Sequence, residues 1–180
     1  MFSPAPLAGA CVITPERLGD ERGWFARLFD AATFAELGMD PAVVQTSLSY
    51  NARAGTLRGL HYQAAPHAEA KLVRCTRGAA FDVIVDLRPR SATFGRWAAF
   101  ELSCDNQRMV FVPAGFAHGF QTLADDTELF YQMSEFHCPE AARGVRWDDP
   151  SLGIAWPPCA RRILSSRDLS YPELRPCGAS

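Results

Sequence analysis

The chain has 180 residues, 48% of them hydrophobic, and a formal net charge of −2. That length builds one domain with a full core and falls short of two ordinary ones, so a single domain over residues 1–180 is expected. The near-neutral charge argues against nucleic acid or an anionic membrane as partner, no apolar run approaches the ~18 residues of a membrane span, and Met1–Ala10 lacks the basic-then-apolar order of a secretion signal, so a cytoplasmic protein is expected.

In chain order, the first predicted element is a helix over Ala31–Leu37, with Asp30 placed to cap it and Gly38 to close it. Lys71–Gly78 reads as a strand ending in a turn. Ala79–Leu87 (AAFDVIVDL) carries the strongest strand signal, rich in β-branched residues and stopped by Arg88-Pro89. Arg96–Ser103 and Met109–Pro113 follow, joined by a turn at Asp105-Asn106. Gly119–Leu123 and Glu128–Phe136 complete the run. Thirteen Gly and thirteen Pro punctuate these short segments. Six or more strands at roughly 8–12-residue spacing predict an all-β sandwich or small barrel. From Trp147 onward the Pro-rich chain reads as an irregular tail draped over it.

Three residue types bear on chemistry. The six cysteines, at 11, 75, 104, 138, 159 and 177, form no C-x-x-C pair, and scattered spacing in a cytosolic setting points to idle or buried thiols. Of 18 basic residues, 17 are arginine and Lys71 is the one lysine. A lysine is a compact, tunable point charge where arginine is not, so Lys71 invites a functional reading beside that of a chance surface residue. The histidines are His61, His67, His118 and His137. His67 lies in a Pro/Ala loop and reads as solvated. His118 closes a P-x-G-x-x-H spacing from Pro113 that resembles the second motif of the cupin superfamily, whose fold is a jelly-roll barrel. Metal-binding cupins also need H-x-H in the first motif. Here that region is Arg58-Gly-Leu-His61-Tyr-Gln, with one histidine. These motifs therefore supply too few ligands for a metal site, and neither metal nor cofactor is expected.

Taken together, Asp20-Glu-Arg22-Gly-Trp-Phe25, Gly55-Thr-Leu-Arg58-Gly-Leu-His61-Tyr-Gln63, Lys71-Leu-Val, Phe81–Arg88, Thr93-Phe-Gly95, Pro113–Phe120, Trp147-Asp-Asp-Pro150 and Leu164-Ser-Ser-Arg-Asp168 resemble the dTDP-4-dehydrorhamnose 3,5-epimerase family. The likeness runs from about residue 9 to about residue 170. It implies a cupin-type jelly-roll β-barrel with one or two short helices, forming a homodimer. It also implies a nucleotide-linked 4-keto-6-deoxyhexose as substrate, with C3 and C5 inverted through an enolate.

That chemistry needs a base with a pKa near neutrality, and His61 matches the family's base. Asp168 matches the carboxylate that fixes the base's tautomer. Tyr131 matches the proton donor on the opposite face, and Lys71 the cation beside the developing oxyanion. His118 matches a residue lining the same pocket, with Phe120 beside it. Arg22 and Arg58 match nucleotide or phosphate contacts, where a guanidinium fork suits phosphate oxygens. Gln45 matches a polar contact, and Ser47 and Asn51 lie in a loop one residue longer than the common pattern. Arg22 is expected to reach a partner subunit's site.

The departures cluster at the nucleoside end. Arg27 stands where the family often has Glu, and His137, beside Phe136, where an aromatic stacks on thymine. Ala142 stands where a glutamate contacts substrate, although Glu140 is near. Arg167 replaces a lysine before Asp168. Kept proton chemistry with altered nucleoside recognition is the expectation. A 3-only or 5-only epimerase and a 3,4-ketoisomerase remain open, as does a non-catalytic sugar-binding cupin. A metal-dependent cupin oxygenase conflicts with the missing H-x-H.

Overall fold

The computed structural model describes residues 1–174, and Cys177 lies outside them. In chain order the elements are β1 (Phe2–Pro4), β2 (Cys11–Ile13), β3 (Leu18–Asp20), β4 (Gly23–Phe25), α1 (Ala31–Glu36), β5 (Gln45–Asn51), β6 (Leu57–Gln63), β7 (Lys71–Arg77), β8 (Ala79–Asp86), β9 (Trp97–Ser103), β10 (Met109–Val112), β11 (Phe116–Thr122), β12 (Thr127–Met133), β13 (Ala142–Gly144) and α2 (Ser166–Ser170). One sheet runs β1-β2-β10-β7-β12-β5 and the other β13-β6-β11-β8-β9, while β3 and β4 form a separate hairpin. The two sheets make an all-β jelly roll of the cupin type, antiparallel throughout and open at the edges.

Alternation explains the layers. Val73 and Cys75 of β7, Ile84 of β8, Val110 of β10, Phe120 of β11 and Leu129 of β12 point inward and pack as one core between the sheets. The opposite faces are also covered. Phe34 of α1 joins Leu72, Met109 and Phe111 outside the first sheet. The chain after Trp147 covers the second, where Leu152, Ile154 and Trp156 meet Leu60, Val83 and Val85. Burial on both faces is why β8 reads as an almost continuous apolar run rather than as an alternating one.

The helix forms as its cap predicts. Asp30 accepts the Thr33 N–H at 3.0 Å, and Gly38 follows the helix with φ +71°. Two expectations are corrected. The strand read as Gly119–Leu123 begins at Phe116, so His118 sits within β11. Pro113–Gly115 completes the turn before it, and β11 then pairs with β8 along its whole length. The tail is not wholly irregular, because Ser165 caps the short helix α2 by accepting the Asp168 N–H at 3.1 Å.

One irregularity in β6 positions the site. Strict alternation would put Arg58 and His61 on opposite faces. The β6–β11 register runs His61↔His118 and then Arg58↔Phe120, so β6 carries one extra residue there. Gly59 and Gly119 permit it: a Cβ on Gly59 would come within 2.6 Å of Gly119 Cα. The bulge brings Arg58 and His61 to the same cleft.

Candidate active site

The cleft encloses about 340 Å³, and its wall includes Arg58, His61, Lys71, His137, Arg167 and Asp168. His61 comes from β6 and Asp168 from α2, 107 residues apart in sequence, with His61 Nε2 and Asp168 Oδ1 at 2.5 Å. Ser165 Oγ donates to the other carboxylate oxygen at 2.8 Å. Burial alone would raise the Asp168 carboxyl, but hydrogen bonds from His61, Ser165 and the Gly59 backbone outweigh it. They hold the group below the ordinary aspartate range. An ionised carboxylate only accepts, so Nε2 carries a proton, and in the neutral tautomer this leaves the lone pair on Nδ1. The imidazole side chain is 40% exposed and Asp168 only 6%. An oriented neutral imidazole open to the cleft can take a proton from a bound molecule.

Lys71 enters from β7. Its Nζ lies 3.0 Å from Glu69 Oε1, with both side chains largely buried. Arg58 Nε donates to Asn51 Oδ1 at 2.8 Å, which fixes the guanidinium stem. The cleft thus combines an ammonium, arginines and a base, a set suited to an anionic substrate that develops further charge.

Behind the cleft lies a second His–Asp pair. His118 Nε2 and Asp82 Oδ2 are 2.6 Å apart and both side chains are buried. His118 is the cross-strand neighbour of His61. Tyr131 reaches in from the other sheet, its ring 5.9 Å from the His118 ring and edge-on. Burial pushes the Tyr131 phenol well above its ordinary value; the Asp82 charge adds to the rise and Arg58 opposes it. Tyr131 is paired with Val73 across the β12–β7 ladder, two residues from Lys71, so Tyr131 and Lys71 are diagonal neighbours on one face.

The remaining residues singled out from sequence divide clearly. Arg167 and His137 line the cleft, and the His137 backbone is held by Gln45 Oε1 at 2.6 Å. Gln45 therefore shapes the rim. Asn51 is buried and acts on Arg58 rather than facing the cleft. Phe120 is buried in the intersheet core, so what it supplies is packing. Phe136 is exposed, and its carbonyl accepts from Gln63. Ser47 is exposed on β5, opposite Tyr131 in the ladder. Arg22 and Arg27 do not line this cleft: Arg22 sits exposed at the β3–β4 turn paired with Asp20, and Arg27 borders a separate groove near α1. His118 is buried behind the cleft wall rather than on it, whereas Tyr131 is only partly buried and lies deeper than the lining residues, next to Lys71.

Four contributors were not singled out from sequence. Asp82 left a signal, a carboxylate in the middle of the apolar run of β8, which a second aspartate, Asp86, ends. Glu69, two residues before the one lysine, left another. Gln63 is buried and bridges the His67 and Phe136 carbonyls and the Cys138 N–H, tying two rim loops together. Tyr171 left no signal, because only the fold of the tail brings it to the cleft.

A cupin-type barrel with a carboxylate-oriented histidine, an ammonium and arginines around one cleft defines an enzyme of the proton-transferring kind. The family described as dTDP-4-dehydrorhamnose 3,5-epimerase matches residues 4–176. A dTDP-4-dehydrorhamnose 3,5-epimerase from Sinorhizobium fredii is 46% identical over 173 residues, 96% of this chain and 89% of the relative. A solved dTDP-6-deoxy-D-glucose-3,5-epimerase from Legionella pneumophila, in complex with dTDP-4-keto-L-rhamnose, superposes with TM-score 0.91 at 36% identity, covering 96% of this chain and 92% of that one. A 3′-monoepimerase from Streptomyces bikiniensis, in complex with dTDP-quinovose, gives TM-score 0.88 at 37% identity over 94% and 86%. The chain belongs to the dTDP-4-dehydrorhamnose 3,5-epimerase family.

Proposed function

We propose that the protein inverts C3 and C5 of a dTDP-linked 4-keto-6-deoxyhexose, as an isomerase of deoxysugar biosynthesis. The observation that carries the reading is the His61–Asp168 dyad sharing one cleft with Lys71. The C3 and C5 protons flank the C4 ketone. His61 Nδ1 removes one as electrons move onto the C4 oxygen, and Asp168 stabilises the imidazolium. The Lys71 ammonium faces the enolate oxygen, where a fixed cation is most effective as charge develops. Tyr131 returns a proton to the opposite face, and its high pKa keeps the phenol protonated until then. Arg58 and Arg167 grip the diphosphate, and His137 meets the nucleoside. His118, held by Asp82, buttresses Tyr131.

The protein acts in the cytoplasm as a homodimer, with Arg22 of each hairpin reaching its partner's cleft. Supporting this, the hairpin exposes Leu18, Trp24 and Phe25, and the edge strand β5 exposes Leu48 and Tyr50. The five cysteines among the described residues are free thiols, as suits a reducing compartment.

The test is solvent exchange: incubation with dTDP-4-keto-6-deoxyglucose in D₂O, then location of the label. Deuterium at C3 and C5 is the expected result, and its absence from both carbons refutes the reading. Label at C3 alone assigns the second reading, a 3-only epimerase, which the structural likeness to a 3′-monoepimerase favours.

A further inference from the structure

We infer that Tyr171 is a positioning residue for the His61 imidazole, acting through its ring and depending on the missing side chain of Gly144. The inference rests on His61 being the base.

One hydrogen bond fixes one atom of a ring. Asp168 holds His61 Nε2, but the imidazole can still rock about that contact and carry Nδ1 out of line. Something must bear on the ring itself. Tyr171 does so: its ring lies 5.6 Å from that of His61, at an interplanar angle of 65°, and it lines the same cleft. This edge-to-face arrangement is a favoured aromatic geometry.

The room for Tyr171 comes from Gly144. In the β13–β6 ladder Gly144 is the direct partner of His61, and side chains of directly opposed residues stand side by side. A Cβ on Gly144 would come within 2.6 Å of Tyr171 Cδ2, Cε2 and Cζ. The phenol ring therefore fills the place beside His61 that any other residue at 144 would occupy. Three further features hold it there. The Arg167 guanidinium lies 5.8 Å from the Tyr171 ring centroid. Pro172 follows, its carbonyl accepting the Arg146 N–H at 2.9 Å. Tyr171 also ends the short helix that carries Asp168. Docking this one segment thus delivers both the carboxylate that holds the nitrogen and the ring that holds the plane.

The experiment combines kinetics with NMR of the His61 ring, assigned by its loss in His61→Asn. In Tyr171→Ala the His61 ring resonances should shift, kcat should fall on the order of ten-fold or more, and the dTDP Kd should stay within about two-fold. Tyr171→Phe should keep kcat within about three-fold. Gly144→Ala should lower kcat in the parent and add no further loss in Tyr171→Ala, since the clash has gone. Parental kcat in Tyr171→Ala, equal losses from Phe and Ala at 171, lost dTDP binding, or a Gly144→Ala penalty that persists without Tyr171 would each overturn the proposal. The NMR arm needs no turnover. If the parent shows no deuterium incorporation, the proposed function fails, whereas unchanged His61 resonances in Tyr171→Ala would sink the ring contact on its own.

Discussion

The two His–Asp pairs use the same atoms at nearly the same distance, 2.5 Å at the cleft and 2.6 Å in the interior. They differ in solvent access: the His61 side chain is 40% exposed and the His118 side chain 5%. They differ also in origin. Asp82 comes from the strand beside His118, whereas Asp168 arrives on the tail after a long excursion of chain. A pair built within one sheet is sealed and serves the barrel and Tyr131. A pair closed by a docked segment keeps one face of its histidine open, as the proton transfer proposed for His61 requires. Pairing is common to both histidines; access belongs to His61 alone of the two.

Breaking the two pairs should have opposite signatures. The largest effect is expected from His61→Ala, which should reduce solvent exchange by about 10² to 10⁴-fold with a smaller loss of stability than His118→Ala, because Ser165 still bonds the Asp168 carboxylate and the space left by His61 opens to water. His118→Ala should act first on stability. It strands the buried Asp82 carboxylate, whose Oδ1 already has no hydrogen-bond partner, at a cost of about 3 kcal/mol, read by chemical denaturation. A His118→Ala protein as stable as the parent would erase the distinction between the pairs. Asp168→Asn should slow exchange roughly 10–100-fold by analogy with other orienting partners, while dTDP binding measured by calorimetry is kept.

Acid sharpens the comparison. The Asp168 carboxyl ionises at lower pH in the fold than in the unfolded chain. Its contribution to stability is complete above ~3.9, the unfolded aspartate value, and is lost as pH falls through the depressed folded value. The stability difference between parent and Asp168→Asn should therefore be constant from neutral pH to about pH 5 and shrink below that. The smallest effect concerns neither pair. Asp30→Ala removes the cap of α1 and should cost about 1 kcal/mol without altering kcat.

Much of the fold was legible along the chain. Runs such as Ala79–Leu87 and Met109–Pro113, cut by Gly and Pro, specify strands, and Asp30 with Gly38 brackets the helix. The short strands β1 to β4 and β13 carried no signal, because three-residue segments become strands only when a neighbour pairs with them. In the site, His61, Lys71 and Arg58 stood out within dense motifs. Arg58 and His61 share a face only through the β6 bulge, which alternation does not foretell.

The sequence by itself determined an all-β architecture, the helix cap and the residue types of a proton-transfer site, because periodicity, turn chemistry and short motifs are local. Tertiary structure decided which histidine is sealed and which is open, that Asn51 serves Arg58, and that Phe120 is core. It also decided that the tail brings Asp168 and Tyr171 together on His61. Those outcomes depend on contacts between segments far apart in the chain, and solvent access exists only once those segments have packed.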